Sequence, residues 1–216
     1  MDVAFDKVGK RYLYEWIFRE LTLHIPLGSA LAISGPNGCG KTTLLRIISG
    51  QLSPSEGKVT FSYDDKPVPK DEVYRHVSLA APWMDLIEIF TPSELIAFHR
   101  RLRPFIPGID ADSFLEIAKL EDARHKEIRF FSSGMKQRLR LALAFCTSSS
   151  VLLLDEPTSN LDTDGIHWFH QLAERFRTGR TIVIASNVED DFRLCSQLIH
   201  IPDFKKGKLG EKKIQA

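Results

Sequence analysis

Cysteine is scarce. The 216-residue chain holds three, Cys39, Cys146 and Cys195, far apart and without a C-x-x-C pair. That pattern fits a reducing compartment better than a disulfide framework or a zinc site. Long apolar runs are also missing. No window offers about 18 uncharged apolar residues, so nothing is expected to span a bilayer. Residues 1–10 carry charges inside their apolar stretch and show no signal-like core, so a cytoplasmic protein is expected. Neither sign of charge dominates: 29 basic and 28 acidic side chains leave +1. That balance argues against a broadly basic surface, and no nucleic-acid partner is expected. Internal repeats and low-complexity blocks are absent. The end of the chain, residues 204–216, is rich in lysine and reads as a solvated tail, with anionic lipid as the alternative contact.

What is present describes a packed domain. Hydrophobic residues make up 43% and charged residues 26%, ordinary for a globular core and unlike a disordered chain. At roughly 150 residues per domain, the length predicts a single domain, 1–216. Apolar runs at 29–34, 151–154 and 181–185 read as buried strands, and 59–63 and 77–81 as further strands. Helices are predicted over 44–49, 132–145 and 166–176, the last stopped by Gly179. Thr91-Pro92-Ser93-Glu94 is a capping box with proline at the first helical position, predicting a helix to about Leu102. Asp110 or Asp112 caps another through Leu120. The alternation gives an α/β fold with a mostly parallel core sheet, and the strand-free stretch of about 83–130 reads as an inserted α-helical subdomain.

Two motifs carry chemistry. Gly35-Pro36-Asn37-Gly38-Cys39-Gly40-Lys41-Thr42 fills every fixed position of G-x-x-x-x-G-K-[ST], between a strand and a helix. The glycines let backbone N–H groups turn toward phosphate oxygens, and the helix adds its positive end. Lys41 supplies charge to the β- and γ-phosphates, and the Thr42 hydroxyl is a Mg²⁺ ligand. Cys39 reads as a small filler of this loop. Further on, Leu154-Asp155-Glu156-Pro157 places two carboxylates where a buried strand leaves the sheet, as ligand sites in open α/β sheets require. Asp155 suits the metal, and Glu156 suits a general base on the attacking water.

A third segment, Phe131-Ser132-Ser133-Gly134-Met135-Lys136-Gln137-Arg138, precedes the acidic strand by a helix. In this order the motifs resemble those of ATP-binding-cassette (ABC) ATPases, with the usual Leu-Ser-Gly-Gly-Gln in a variant form. The resemblance covers about residues 3–201. It implies a P-loop NTPase that binds ATP and Mg²⁺. It implies nucleotide contacts from Gly35, Pro36, Asn37, Gly38, Cys39, Gly40, Lys41, Thr42 and Thr43 of one subunit and from Ser132, Ser133 and Gly134 of another. Asp162, in Ser159-Asn160-Leu161-Asp162, looks like part of the D-loop, and Tyr12 lies where the family stacks an aromatic on adenine. The partners implied are a second ATPase subunit, identical or related, and a separate transmembrane permease holding this chain to the cytoplasmic face of the membrane. The helical subdomain and the loop before it would form the groove that receives that permease.

Two positions depart from the family. The switch histidine is replaced by Asn187, which can donate a hydrogen bond but cannot carry a proton. The glutamine that touches metal and water falls on Pro82, which has no ligand to offer; Asp85 and Glu88 are the substitutes at hand. These changes imply slowed hydrolysis, with Lys41, Glu156 and Asn187 as the catalytic set. The expected function is the ATPase of an exporter-type transporter. The alternatives are a soluble non-transport ATPase and an ATP-gated dimerisation module with little turnover.

Overall fold

The computed structural model describes residues 1–205, so the lysine-rich stretch lies outside the described residues from 206 onward. In chain order the elements begin with strands β1 (Asp2–Tyr12), β2 (Glu15–Ile25) and β3 (Ala30–Ser34), helix α1 (Lys41–Ile48), and strands β4 (Glu56–Tyr63), β5 (Lys66–Pro67) and β6 (Val77–Ala80). Helices α2 (Pro92–Leu102), α3 (Ala111–Ala118) and α4 (Ser133–Cys146) follow, then β7 (Val151–Asp155), α5 (Thr163–Phe176), β8 (Thr181–Ser186) and β9 (Gln197–His200).

The continuous apolar runs become the middle of a five-stranded, all-parallel sheet in the order β6-β7-β8-β3-β9. Every residue of β7 and β8 is buried, as expected of strands covered on both faces. Strand alternation divides their side chains between two cores. Leu152, Leu154, Ile182 and Ile184 join the core shared with α2–α5. Val151, Leu153, Val183 and Ala185 face the other core, with Leu44, Leu45, Ile47 and Ile48 of α1. That second core also takes one face of a four-stranded antiparallel sheet, β2-β1-β4-β5, through Val3, Phe5, Phe18, Leu23 and Phe61. Of this layer the sequence reading held only the strand at 59–63, which falls within β4; β1, β2, β5 and edge strand β9 are additions to it. The layer bends at bulges near residues 6–9. There Gly57 is required: its φ is +75°, and a Cβ would stand 2.3 Å from the Lys7 carbonyl oxygen.

Between β6 and α4 the described residues hold α2, α3 and two 3-10 turns, and Phe105 makes an isolated bridge to Thr147. Helix α2 starts on the predicted box, with Glu94 N donating to Thr91 Oγ1 at 3.3 Å and Thr91 N to Glu94 Oε2 at 2.8 Å. Of the two acids offered for α3, Asp110 is the cap, its Oδ1 accepting from Ser113 N at 2.9 Å. The buried Trp168 indole of α5 donates to the Ile117 carbonyl at 2.8 Å and ties α3 to the sheet side. Helix α4 links the two regions. Its last four carbonyls are all accounted for: Leu143 accepts from Thr147 N, Ala144 and Phe145 from the Arg180 guanidinium, and Cys146 from Ile106 N.

Candidate active site

The phosphate loop, the end of β7 and the segment after β6 meet at the C-terminal edge of the parallel sheet. They enclose a cleft of about 430 Å³ lined by Asn37, Gly38, Gly40, Lys41, Thr42 and Thr43, and by Pro82, Trp83, Asp155, Glu156 and Ile17. Helix α1 begins at Gly40 (φ +115°), with no side-chain cap and no acid in its first turn. Its first N–H groups are therefore offered to an anion. Gly40 must be glycine, because a Cβ there would lie 2.2 Å from Ile17 Cγ2. Gly35 and Pro36 act through the backbone: the Gly35 carbonyl accepts from Lys41 Nζ at 2.8 Å, and Pro36 O from Cys39 N at 3.2 Å.

Lys41, only 6% exposed, also pairs with Glu156 Oε1 at 3.1 Å. Glu156 sits at φ +47°, a conformation that a non-glycine residue holds only when its surroundings impose it. Here Glu156 N donates to Ala185 O at 2.7 Å, and Ser159 N donates to Glu156 O at 3.1 Å. Ser186 Oγ donates to Glu156 Oε2 at 3.2 Å. Ser186 is a site residue that the sequence reading missed; its only signal was its place beside Asn187 at the end of a buried strand.

Thr42 Oγ1 donates to Asp155 Oδ2 at 2.6 Å. Burial pushes the Asp155 carboxyl above the usual carboxylate range; the Thr42 hydroxyl, the nearby Trp83 indole and Lys41 oppose the shift, and Glu156 adds to it. The donor set fits Mg²⁺, a hard cation bound through oxygen by one or two carboxylates together with substrate phosphates. Among the described residues no group of three or more His, Cys, Asp and Glu side chains is placed to hold a metal by itself. Trp83 lines the cleft beside Pro82, with the Arg46 guanidinium 4.2 Å from its ring centre. The offered substitutes for the missing glutamine lie elsewhere: Asp85 lines a second groove, and Glu88 is paired with Lys136.

The remaining candidates do not line this cleft. Ser132 caps α4, accepting from Met135 N at 3.2 Å, and Ser133 and Gly134 form its first turn. A Cβ on Gly134 would sit 3.2 Å from Asn160 O, so this helix end packs beside the 159–162 loop. Asp162 caps α5 through Gly165 N at 2.8 Å. Asn187 is exposed. Tyr12 closes β1, is 47% exposed, and has Lys10 Nζ 5.2 Å from its ring centre. Of its neighbours, Phe18 is core and Tyr14 is 96% exposed.

The three thiols should react differently. Burial pushes the Cys146 and Cys195 thiols up to about 12, whereas Cys39 lies within the phosphate loop. Iodoacetamide at neutral pH is expected to label Cys39 first, and ATP to slow that labelling at least severalfold, as read by peptide mass spectrometry. Equal labelling of Cys146 would contradict the packing described.

Residues 18–159 match the family model described as ABC transporter. The chain is 32% identical over 214 residues to the Nod factor export ATP-binding protein I of Burkholderia thailandensis, covering 94% of this chain and 69% of that protein. The protein of the same name from Bradyrhizobium diazoefficiens is 35% identical over 209 residues, with 91% and 67% covered. A solved ABC transporter ATP-binding protein from Pyrococcus furiosus superposes with a TM-score of 0.80 at 20% identity, over 95% of this chain and all of that one. An ATP-binding cassette solved as a dimer bound to ADP and Pi superposes with a TM-score of 0.81 at 24% identity, over 99% of each chain. At these identities the structural likeness speaks to the fold.

Proposed function

The chain belongs to the ABC transporter family, and on that premise we propose that it hydrolyses ATP to drive a separate membrane permease. The observation that carries this reading is the convergence of Lys41, Thr42, Asp155 and Glu156 in one cleft at the head of an uncapped helix. We take residues 1–216 as one ATPase domain, with the helical subdomain at about 83–130.

ATP entering the cleft competes for Lys41 against Glu156 and the Gly35 carbonyl. The phosphates take the ammonium and the N–H groups of α1, and the Glu156 carboxylate is released to accept a proton from the attacking water. Ser186 Oγ keeps a hold on the second carboxylate oxygen during that change. Thr42 and Asp155 would hold Mg²⁺, which would supply charge neutralisation at the phosphate oxygens. Ser132, Ser133 and Gly134 are not part of the lining of their own cleft, which supports a head-to-tail pair in which each copy completes the other's site. Asn187 and Tyr12 would join the nucleotide on closure.

No helix among the described residues is long and apolar enough to cross a membrane, and the relatives' names describe ATP-binding proteins of an export system. The second groove, about 360 Å³ and walled by residues 84–87, α2 and α4, is the surface we assign to it. The relatives' names favour export as the direction. With Pro82 and Asn187 in place of the two water- and phosphate-sensing side chains, basal turnover should be slow and stimulated by the permease. Phosphate release by the purified chain, alone and with the co-purified membrane protein, tests this. Saturable release that the partner accelerates is expected; failure to bind ATP would overturn the reading. The same two substitutions favour the second reading, an ATP-gated dimerisation module, which would bind ATP and dimerise with no turnover even beside its partner.

A further inference from the structure

Three hydrogen bonds join the segment after β6 to the turn that carries Glu156. Arg140 on α4 donates from Nε to the Met84 carbonyl at 3.0 Å and from Nη1 to Gln137 Oε1 at 2.6 Å. Gln137, one turn back on α4 and 2% exposed, donates from Nε2 to the Pro157 carbonyl at 2.8 Å. The amide is thus used at both ends, and its orientation is fixed by its two partners. One terminus of the chain is Met84, which walls the second groove and follows Trp83 of the nucleotide cleft. The other is the carbonyl next to Glu156.

None of these groups lines the nucleotide cleft. Their effect falls on a residue already held at positive φ by its neighbours. A carboxylate aimed from such a turn moves when the adjoining peptide moves, and misplacement of a base by a fraction of an ångström is costly. We propose that Arg140 and Gln137 are positioning residues for hydrolysis, which fix the aim of Glu156 and tie it to the segment walling the second groove. This rests on the reading of Glu156 as general base.

Steady-state phosphate release and fluorescent-nucleotide binding test it in Gln137→Met, Arg140→Met and the double variant. Each single variant is expected to lower kcat by roughly tenfold to a hundredfold, with KM and nucleotide Kd within about twofold of the parent. The double variant should be no slower than the slower single, because Arg140 acts through Gln137. In a Glu156→Gln background Arg140→Met should leave the residual rate unchanged, whereas general loosening of the fold would lower it further. Arg140→Lys, which reaches one of the two oxygens but not both, should fall between parent and Arg140→Met, and it serves if the methionine variant does not fold. Unchanged kcat, multiplicative losses in the double variant, or equal losses in kcat and affinity would overturn the proposal. A Glu156→Gln protein as fast as the parent, or a parent with no phosphate release, removes the active-site reading as well. A dead Glu156→Gln protein beside a fully active Arg140→Met protein removes this proposal alone.

Discussion

Replacing Glu156 with glutamine is expected to lower phosphate release by about two to four orders of magnitude while ATP binding is kept or strengthened. The substitution changes little in shape. The amide oxygen can still accept from Ser186 Oγ, and the main-chain bonds to Ala185 and Ser159 that hold the residue at φ +47° are untouched. What is lost is the charge. The water loses its proton acceptor, and Lys41 loses the carboxylate now 3.1 Å away. A lysine freed of that partner is more available to a phosphate, so the predicted loss falls on kcat and not on affinity. Phosphate release and equilibrium binding of a fluorescent ATP analogue, measured on one preparation, separate the two. Parent-like turnover would assign the base elsewhere. Loss of both turnover and binding would mean that Glu156 shapes the phosphate loop and does not act on water.

Arg180→Met is expected to cost about 3 kcal/mol or more in folding stability. Arg180 is 6% exposed and has no carboxylate partner among the described residues. Its guanidinium serves instead as a hub for neutral acceptors, reaching Phe145 O at 2.7 Å, Ala144 O at 3.4 Å, Thr147 O at 3.3 Å, Ser78 Oγ at 3.0 Å and Ser149 Oγ at 2.6 Å. Burial lowers its pKa to about 10, so it is still the charged form that caps α4 at physiological pH. Methionine fills part of the volume but leaves two helix-end carbonyls without donors and the helix dipole without its cation. For a domain of this size the loss corresponds to a fall in Tm of roughly 6–12 °C. Thermal melting followed by circular dichroism reads it directly, and a shift below about 2 °C would contradict the account. The nucleotide cleft lies at the other end of the sheet, so nucleotide affinity measured well below Tm should stay near that of the parent.

Nothing in the sequence around Arg180 marks its role. An arginine beside a predicted strand looks like any solvated charge; only the fold brings Ser78, the end of α4 and Ser149 around it. Of the antiparallel layer only β4 was read, as 59–63, and β1 escaped for a related reason. β1 alternates buried and open residues only as far as Phe5, then bulges near residues 6–9, so its period of two is broken where a pattern would be sought. By contrast, the helix at Thr91 was legible to the residue, because a capping box and a first-turn proline are local chemistry. β7 and β8 were legible to within one residue at their ends, because their unbroken apolar runs can be buried only on both faces.

The candidate site divides along the same line. The phosphate loop and the Asp155-Glu156 pair are contiguous motifs whose spacing encodes their geometry. Ser186, Trp83 and the Arg140–Gln137 link are assembled across elements, and each is a common residue type with no spacing to mark it. Asp85 and Glu88 show the opposite error: proximity in sequence to Pro82 suggested metal ligands, yet neither lines the cleft, Asp85 facing the second groove and Glu88 pairing with Lys136.

On the proposed head-to-tail pairing this chain carries a half-site, with the Lys41 loop and the Ser132–Gly134 helix end each completing a partner's nucleotide pocket. Light scattering of the Glu156→Gln protein tests it most directly. With Mg·ATP the mass should rise from that of one chain to that of two, or to that of one chain plus a related cassette when the two are mixed, and it should fall back on nucleotide removal. Gly134→Asp, which puts a carboxylate where a phosphate is to approach, should abolish the rise. A parent protein that hydrolyses ATP while remaining a single chain at every concentration, alone or in a complex, would contradict it.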